Sequence, residues 1–207
     1  MSDIKLYRLS GQSVIEINSA AMALEKPLQT LFESNLEPLI GVRFLASEYT
    51  ITEGRIDTLG LDENNCPIII EYKRHSNENI INQGLYYLDW LMDHQADFKL
   101  LVMEKIGKDA GSLIDWSGPR LVCVAADFAR YDAHAVKQMN RNIELIRYRK
   151  FGDDLLMLDL LTATTGATPS NSNNQQSRSQ KSHESMIADA SPALKARLEA
   201  LSDYLHS

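Results

Sequence analysis

The sequence predicts an α/β domain in which a mixed central β-sheet is flanked by helices. Apolar runs of strand length alternate with segments of helical periodicity in the middle of the chain, and strands pair as hairpins at both ends. The 207 residues, 44% hydrophobic and 24% charged, are enough for one sizeable core and too few to require two.

Residues 4–9 and 14–17, broken at Ser10-Gly11-Gln12, read as a short opening hairpin. From Leu24 the spacing turns helical, with Leu24, Leu28, Leu31, Phe32 and Leu36 three or four apart. Pro27 falls in the first turn, where its missing N–H is not needed, and Gly41 ends the element. Residues 42–51 are apolar and β-branched enough for a strand, which leads through Thr52-Glu53-Gly54 into a second strand over 54–61. Asp62-Glu63-Asn64-Asn65 is turn chemistry, and 67–73 returns as a third strand. Ser76-Asn77-Glu78-Asn79 then offers a helix start, followed by a stripe of Ile80, Ile81, Leu85, Leu88 and Leu91 to about His94. Further strands are expected at 98–103 and 121–125, a helix at 133–142, and a closing strand pair, 143–147 with 155–161, around Gly152-Asp153. The main domain is therefore placed at 1–161. Residues 162–190, rich in Thr, Ser, Asn and Gln, read as a flexible linker, and 191–207 as an amphipathic helix started by Ser191-Pro192 with Leu194, Leu198, Leu201 and Leu205 on one stripe.

With only Cys66 and Cys123, neither a disulfide framework nor a zinc cluster is indicated. No apolar run reaches the length of a membrane span, and the first residues lack the pattern of a signal peptide, so a soluble cytoplasmic protein with no membrane partner is expected. A net charge of −7 argues against a protein that coats nucleic acid over its whole surface. Between Arg120 and Lys150 the balance reverses, with seven Lys and Arg against three Asp and Glu. A basic strip beside a groove and a solvated helix face both fit that reversal.

The chemistry concentrates on the second and third strands. If they pair around a turn centred near Asn64, Asp57 and Glu71 are each seven residues from it and lie opposite one another. Facing carboxylates repel unless something neutralises them, and a hard cation such as Mg²⁺ takes oxygen ligands of this kind. Lys73 shares the face of Glu71 by the period of two, where an ammonium can steady an attacking water or a developing oxyanion. A salt-bridge ladder on an outer sheet face fits the spacing as well. Against it stands the company of the charges, because Ile68-Ile69-Ile70 describe a buried strand whose charged end emerges in a cleft. On the following helix Gln83 and Tyr87 are four apart and share a face.

Taken together, Leu24-Glu25-Lys26-Pro27-Leu28-Gln29, Gly54-Arg55-Ile56-Asp57, Glu71-Tyr72-Lys73, and Gln83 with Tyr87 resemble the PD-(D/E)XK nuclease superfamily, and within it the catalytic domain of NucS-type endonucleases. The likeness covers roughly 24–101, and 140–146 is similar as well. It implies a restriction-endonuclease-like core and a Mg²⁺ or Mn²⁺ cofactor held by Asp57, Glu71 and the Tyr72 carbonyl, with Glu25 reaching the cation or its waters. It also implies Lys73 at the nucleophilic water or the charged transition state, and Gln83 and Tyr87 facing the cleft. Glu33 competes with Glu25 for the place of the helical acid. The implied function is a metal-dependent DNA endonuclease in repair or defence, acting on single-stranded, branched or mismatched DNA, with a homodimer as one arrangement of the chain. The alternative is a non-cleaving nucleic-acid- or protein-binding module on the same fold.

Overall fold

The structure is a computed structural model, described here for residues 4–22, 24–74 and 80–166. The opening hairpin, β1 (Leu6–Ser10) and β2 (Ser13–Ile17), forms its own two-stranded sheet with most side chains exposed. The second sheet has the order β3-β8-β7-β6-β5-β4, with β9 also paired to β8. Its strands are β3 (Ser19–Ala20), β4 (Val42–Ile51), β5 (Gly54–Asp62), β6 (Pro67–Lys73), β7 (Arg120–Ala125), β8 (Asn142–Phe151) and β9 (Leu155–Thr164). β6, β7 and β8 run parallel and the remaining pairs are antiparallel, so the sheet is mixed, as expected.

Helices cover both faces. On one side α1 (Glu25–Glu33) and α2 (Leu36–Ile40) bury Leu28, Phe32 and Leu36 among Ile68, Ile70, Tyr72, Val122, Val124, Ile146 and Tyr148. On the other, α3 (Ile80–Asp93), α4 (Gln95–Lys105) and α6 (Arg130–Gln138) bury Leu88, Leu91, Phe98, Val102 and Val136 among Leu59, Leu61, Ile69, Leu121 and Leu145. β6 divides its isoleucines between these cores by the period of two, which leaves Glu71 pointing away from the α1 side. The short α5 (Lys108–Ser112) and β3 had no counterpart in the sequence reading.

Four expectations need correction. The segment 98–103 is not a strand but the middle of α4, because Phe98 and Val102, one turn apart, are buried while Lys99 and Leu100 between them are exposed. The first helix is two helices. Ser34 donates its hydroxyl to the Thr30 carbonyl and Asn35 its amide to the Leu31 carbonyl, side chains capturing acceptors at the end of α1. α2 then ends at Gly41, whose φ of 68° suits glycine. α6 starts three residues before the expected position, where the Asp132 carboxylate accepts the Ala129 N–H. Finally β9 runs on to Thr164, past the expected boundary at 161, since Thr162 is buried and the Thr164 hydroxyl bonds Ile143 and Arg141. The remaining linker and the helix expected at 191–207 lie outside the described residues. Among the described residues no helix is long and apolar enough to cross a membrane.

Candidate active site

The β5–β6 ladder pairs Leu61 with Pro67, Gly60 with Ile68, Leu59 with Ile69 and Thr58 with Ile70, and the next pair in that register is Asp57 with Glu71. There the backbone ladder stops and side chains take it over. The Asp57 N–H donates to Glu71 Oε1 at 3.2 Å, and the Tyr72 N–H donates to Asp57 Oδ2 at 3.0 Å. Each carboxylate thus caps the other strand, and the two are brought together as the turn count required.

Their environment is hostile to two negative charges. Glu71 is fully buried, and its Oε2 has no hydrogen-bond partner. Burial, followed by the nearby Asp57 charge, pushes the Glu71 carboxyl up from 4.5 to about 9. Asp57 is raised as well, chiefly by burial, with the Tyr72 N–H and Lys73 acting in the opposite direction. Such a pair holds a proton in the absence of a cation, and a buried oxygen without a partner carries a desolvation cost.

Lys73 is four-fifths covered or more and lies 3.7 Å from Glu25 Oε2, while Glu25 Oε1 accepts the Arg74 N–H at 3.0 Å. Glu25 therefore reaches the end of β6 from the first turn of α1. Glu33 does not. Its Oε1 accepts the Thr58 hydroxyl at 2.7 Å and the Gln29 amide at 2.9 Å, on the α1 side of the sheet. Among the described residues no three His, Cys, Asp or Glu side chains form a ligand set by themselves. The oxygens brought together are those of the Asp57 and Glu71 carboxylates, hard donors of the kind that suit Mg²⁺ or Mn²⁺.

Gln83 is half-buried and donates to the Tyr87 hydroxyl at 3.0 Å. That hydroxyl also accepts the Arg55 N–H at 3.3 Å, two residues before Asp57. The Tyr87 ring itself belongs to the core cluster and is 5% exposed, so the ring packs inside and only its oxygen reaches the site strand. A Cβ on Gly54 would fall 2.8 Å from that oxygen, which is why the tyrosine can approach the backbone there.

Two residues were not singled out from sequence. Gln29, 4% exposed, donates to the Asp57 carbonyl at 2.9 Å, to Ser47 Oγ at 3.3 Å and to Glu33, and so fixes the site strand to α1. It closes the run Leu24-Glu25-Lys26-Pro27-Leu28-Gln29, whose spacing gives it no role. Glu48 bridges Lys26 and Arg55, at 2.9 and 2.5 Å, and no sequence signal marks it. The basic strip of 120–150 is largely neutralised: Arg120 faces Asp62 and Glu144, Arg141 faces Asp89, Arg147 faces Asp127 and Asp159, and Lys150 faces Asp153.

Residues 24–125 match the family model described as the endonuclease NucS C-terminal domain. An uncharacterized protein of Haemophilus influenzae is 31% identical over 169 residues, which cover 79% of this chain and 55% of the relative. Among solved structures, an EndoMS–dsDNA2 complex is similar with a TM-score of 0.41 at 18% identity, over 65% of this chain and 50% of that one. A repair endonuclease from Pyrococcus abyssi is similar with a TM-score of 0.41 at 16% identity, over 62% of this chain and 49% of that one. The chain spans about half the length of these relatives.

Proposed function

We propose, for a chain whose residues 24–125 match the endonuclease NucS C-terminal domain family, that it is a Mg²⁺- or Mn²⁺-dependent DNA endonuclease that hydrolyses phosphodiester bonds in repair or defence. The observation that carries the reading is the pairing of the buried Glu71 with the half-buried Asp57, with Glu71 Oε2 left without a partner. Two facing acids, one buried and one half-buried, are costly as structure alone, and a divalent cation would satisfy both.

Asp57, Glu71 and the Tyr72 carbonyl would hold the ion, with Glu25 reaching its waters from α1. Bound there, the cation supplies Lewis-acid polarisation of the phosphate and a lowered pKa for its water. Lys73, held near Glu25, offers an ammonium to the attacking water or to the phosphate oxygens as charge builds on them. Gln29 holds the Asp57 main chain from the other face of the sheet, and Tyr87 with Gln83 holds the strand two residues earlier. No covalent enzyme intermediate is required.

The test is incubation of end-labelled single- and double-stranded DNA with Mn²⁺ or Mg²⁺, with and without EDTA, using wild type and Glu71→Gln. Cleavage that needs the metal and is lost in the variant is expected. Cleavage that survives EDTA, or full activity in Glu71→Gln, would remove the reading.

A further inference from the structure

β4 pairs with β5 through Ser47↔Thr58 and Tyr49↔Ile56, so Glu48 lies across from Asp57. Its φ is +53°, in the left-handed region that a non-glycine residue enters at a cost, and it does so inside a strand. This backbone turn sends the side chain to two cations from different elements: Lys26 of α1, at 2.9 Å, and Arg55 of β5, at 2.5 Å. Both cations are close in sequence to the site acids. Lys26 follows Glu25 in sequence, and Arg55 precedes Asp57 by two residues. Glu48 is also less exposed than either partner, at 27% against 59% and 62%.

We propose that Glu48 is a positioning residue which, by holding Lys26 and Arg55 in ion pairs, keeps these two cations from neutralising Glu25 and Asp57 and so leaves the acids to a divalent cation. A lysine or arginine placed beside a carboxylate competes for it with any metal, because both offer positive charge to the same oxygens. The strained backbone at Glu48 is retained because an ordinary strand conformation would aim the carboxylate elsewhere. The role rests on the metal reading given above.

The experiment measures Mn²⁺ affinity by calorimetry on the full chain, in wild type, Glu48→Gln, Glu48→Gly and Glu71→Gln. It adds Glu48→Gln in a Lys26→Met, Arg55→Met background. Glu48→Gln is expected to weaken Mn²⁺ binding about tenfold, the size usual for residues that support metal ligands. In the background lacking both cations the same substitution should change affinity by less than about twofold. Glu48→Gly, whose backbone accepts the left-handed conformation, should keep a melting temperature at or above that of wild type and still lose the affinity, which separates the role from a structural one. If wild type and Glu71→Gln alike bind no Mn²⁺, the metal reading falls and this proposal with it. If wild type binds and Glu48→Gln binds equally well, the role of Glu48 alone is overturned. A full tenfold loss in the doubly substituted background would mean that Glu48 acts through its own charge, which also overturns the positioning role.

Discussion

Glu71 has one oxygen on the Asp57 N–H and the other buried with no partner, and this makes its protonation a reporter of the site. Its carboxyl is raised from 4.5 to about 9 in the folded protein, so between these values the native state binds more protons than the unfolded chain. Without metal, stability is therefore greatest below about pH 4.5 as far as this group is concerned and falls as pH rises toward 9, by at most ~1.4 kcal/mol per pH unit. Glu71→Gln should flatten that slope and raise the melting temperature at pH 8, and saturating Mn²⁺ should flatten it in wild type. Melts from pH 5 to 9 in chelator and in Mn²⁺ check both. Gln29 works from the opposite side of the sheet. Gln29→Met removes the donor to the Asp57 carbonyl, Ser47 and Glu33, and is expected to cost about 1–3 kcal/mol in chemical denaturation together with slower cleavage. Unchanged stability would show that the Asp57 carbonyl does not depend on it.

At the scale of elements, α3 adds to its apolar packing on the sheet one hydroxyl, that of Tyr87, which reaches the β5 backbone. Tyr87→Phe keeps the core ring and loses the bonds to the Arg55 N–H and Gln83, so a loss of about 1 kcal/mol with Mn²⁺ affinity retained is expected from denaturation and calorimetry. The Asp57–Glu71 register was legible in the sequence because the turn is short and polar and because Ile68, Ile69 and Ile70 must be buried, which leaves little freedom to slip. That the ladder gives way to side chains one step later was not legible, since a carboxylate replacing a carbonyl leaves no trace in periodicity. The segment 98–103 of α4, apolar but for Lys99, fits either period, and only the exposure of Lys99 and Leu100 decides it. Glu48 was invisible for a different reason. A left-handed residue in a strand is usually flagged by Gly, Asn or Asp, and Ser47-Glu48-Tyr49 contains none of them.

Across the whole molecule, charge is arranged in local pairs, and four of the seven basic residues between 120 and 150 already face acids. The last described residues also belong to the sheet: Thr164 bonds Ile143, and the Gly166 N–H donates to Asn142 Oδ1 at 2.6 Å. A chain truncated after Gly166 keeps the whole of β9 and the Gly166–Asn142 bond. One cut after Leu161 should melt lower because it strips the end of β9. Equal melting of the two truncations would detach 162–166 from the fold. The account of the molecule turns on one ion between two strands, and anomalous diffraction from crystals soaked in Mn²⁺ observes it directly. A manganese peak is predicted within ligand distance of Asp57, Glu71 and the Tyr72 carbonyl, absent in Glu71→Gln crystals. A wild-type map with no peak at that pair, under Mn²⁺ concentrations that support cleavage, would contradict the account.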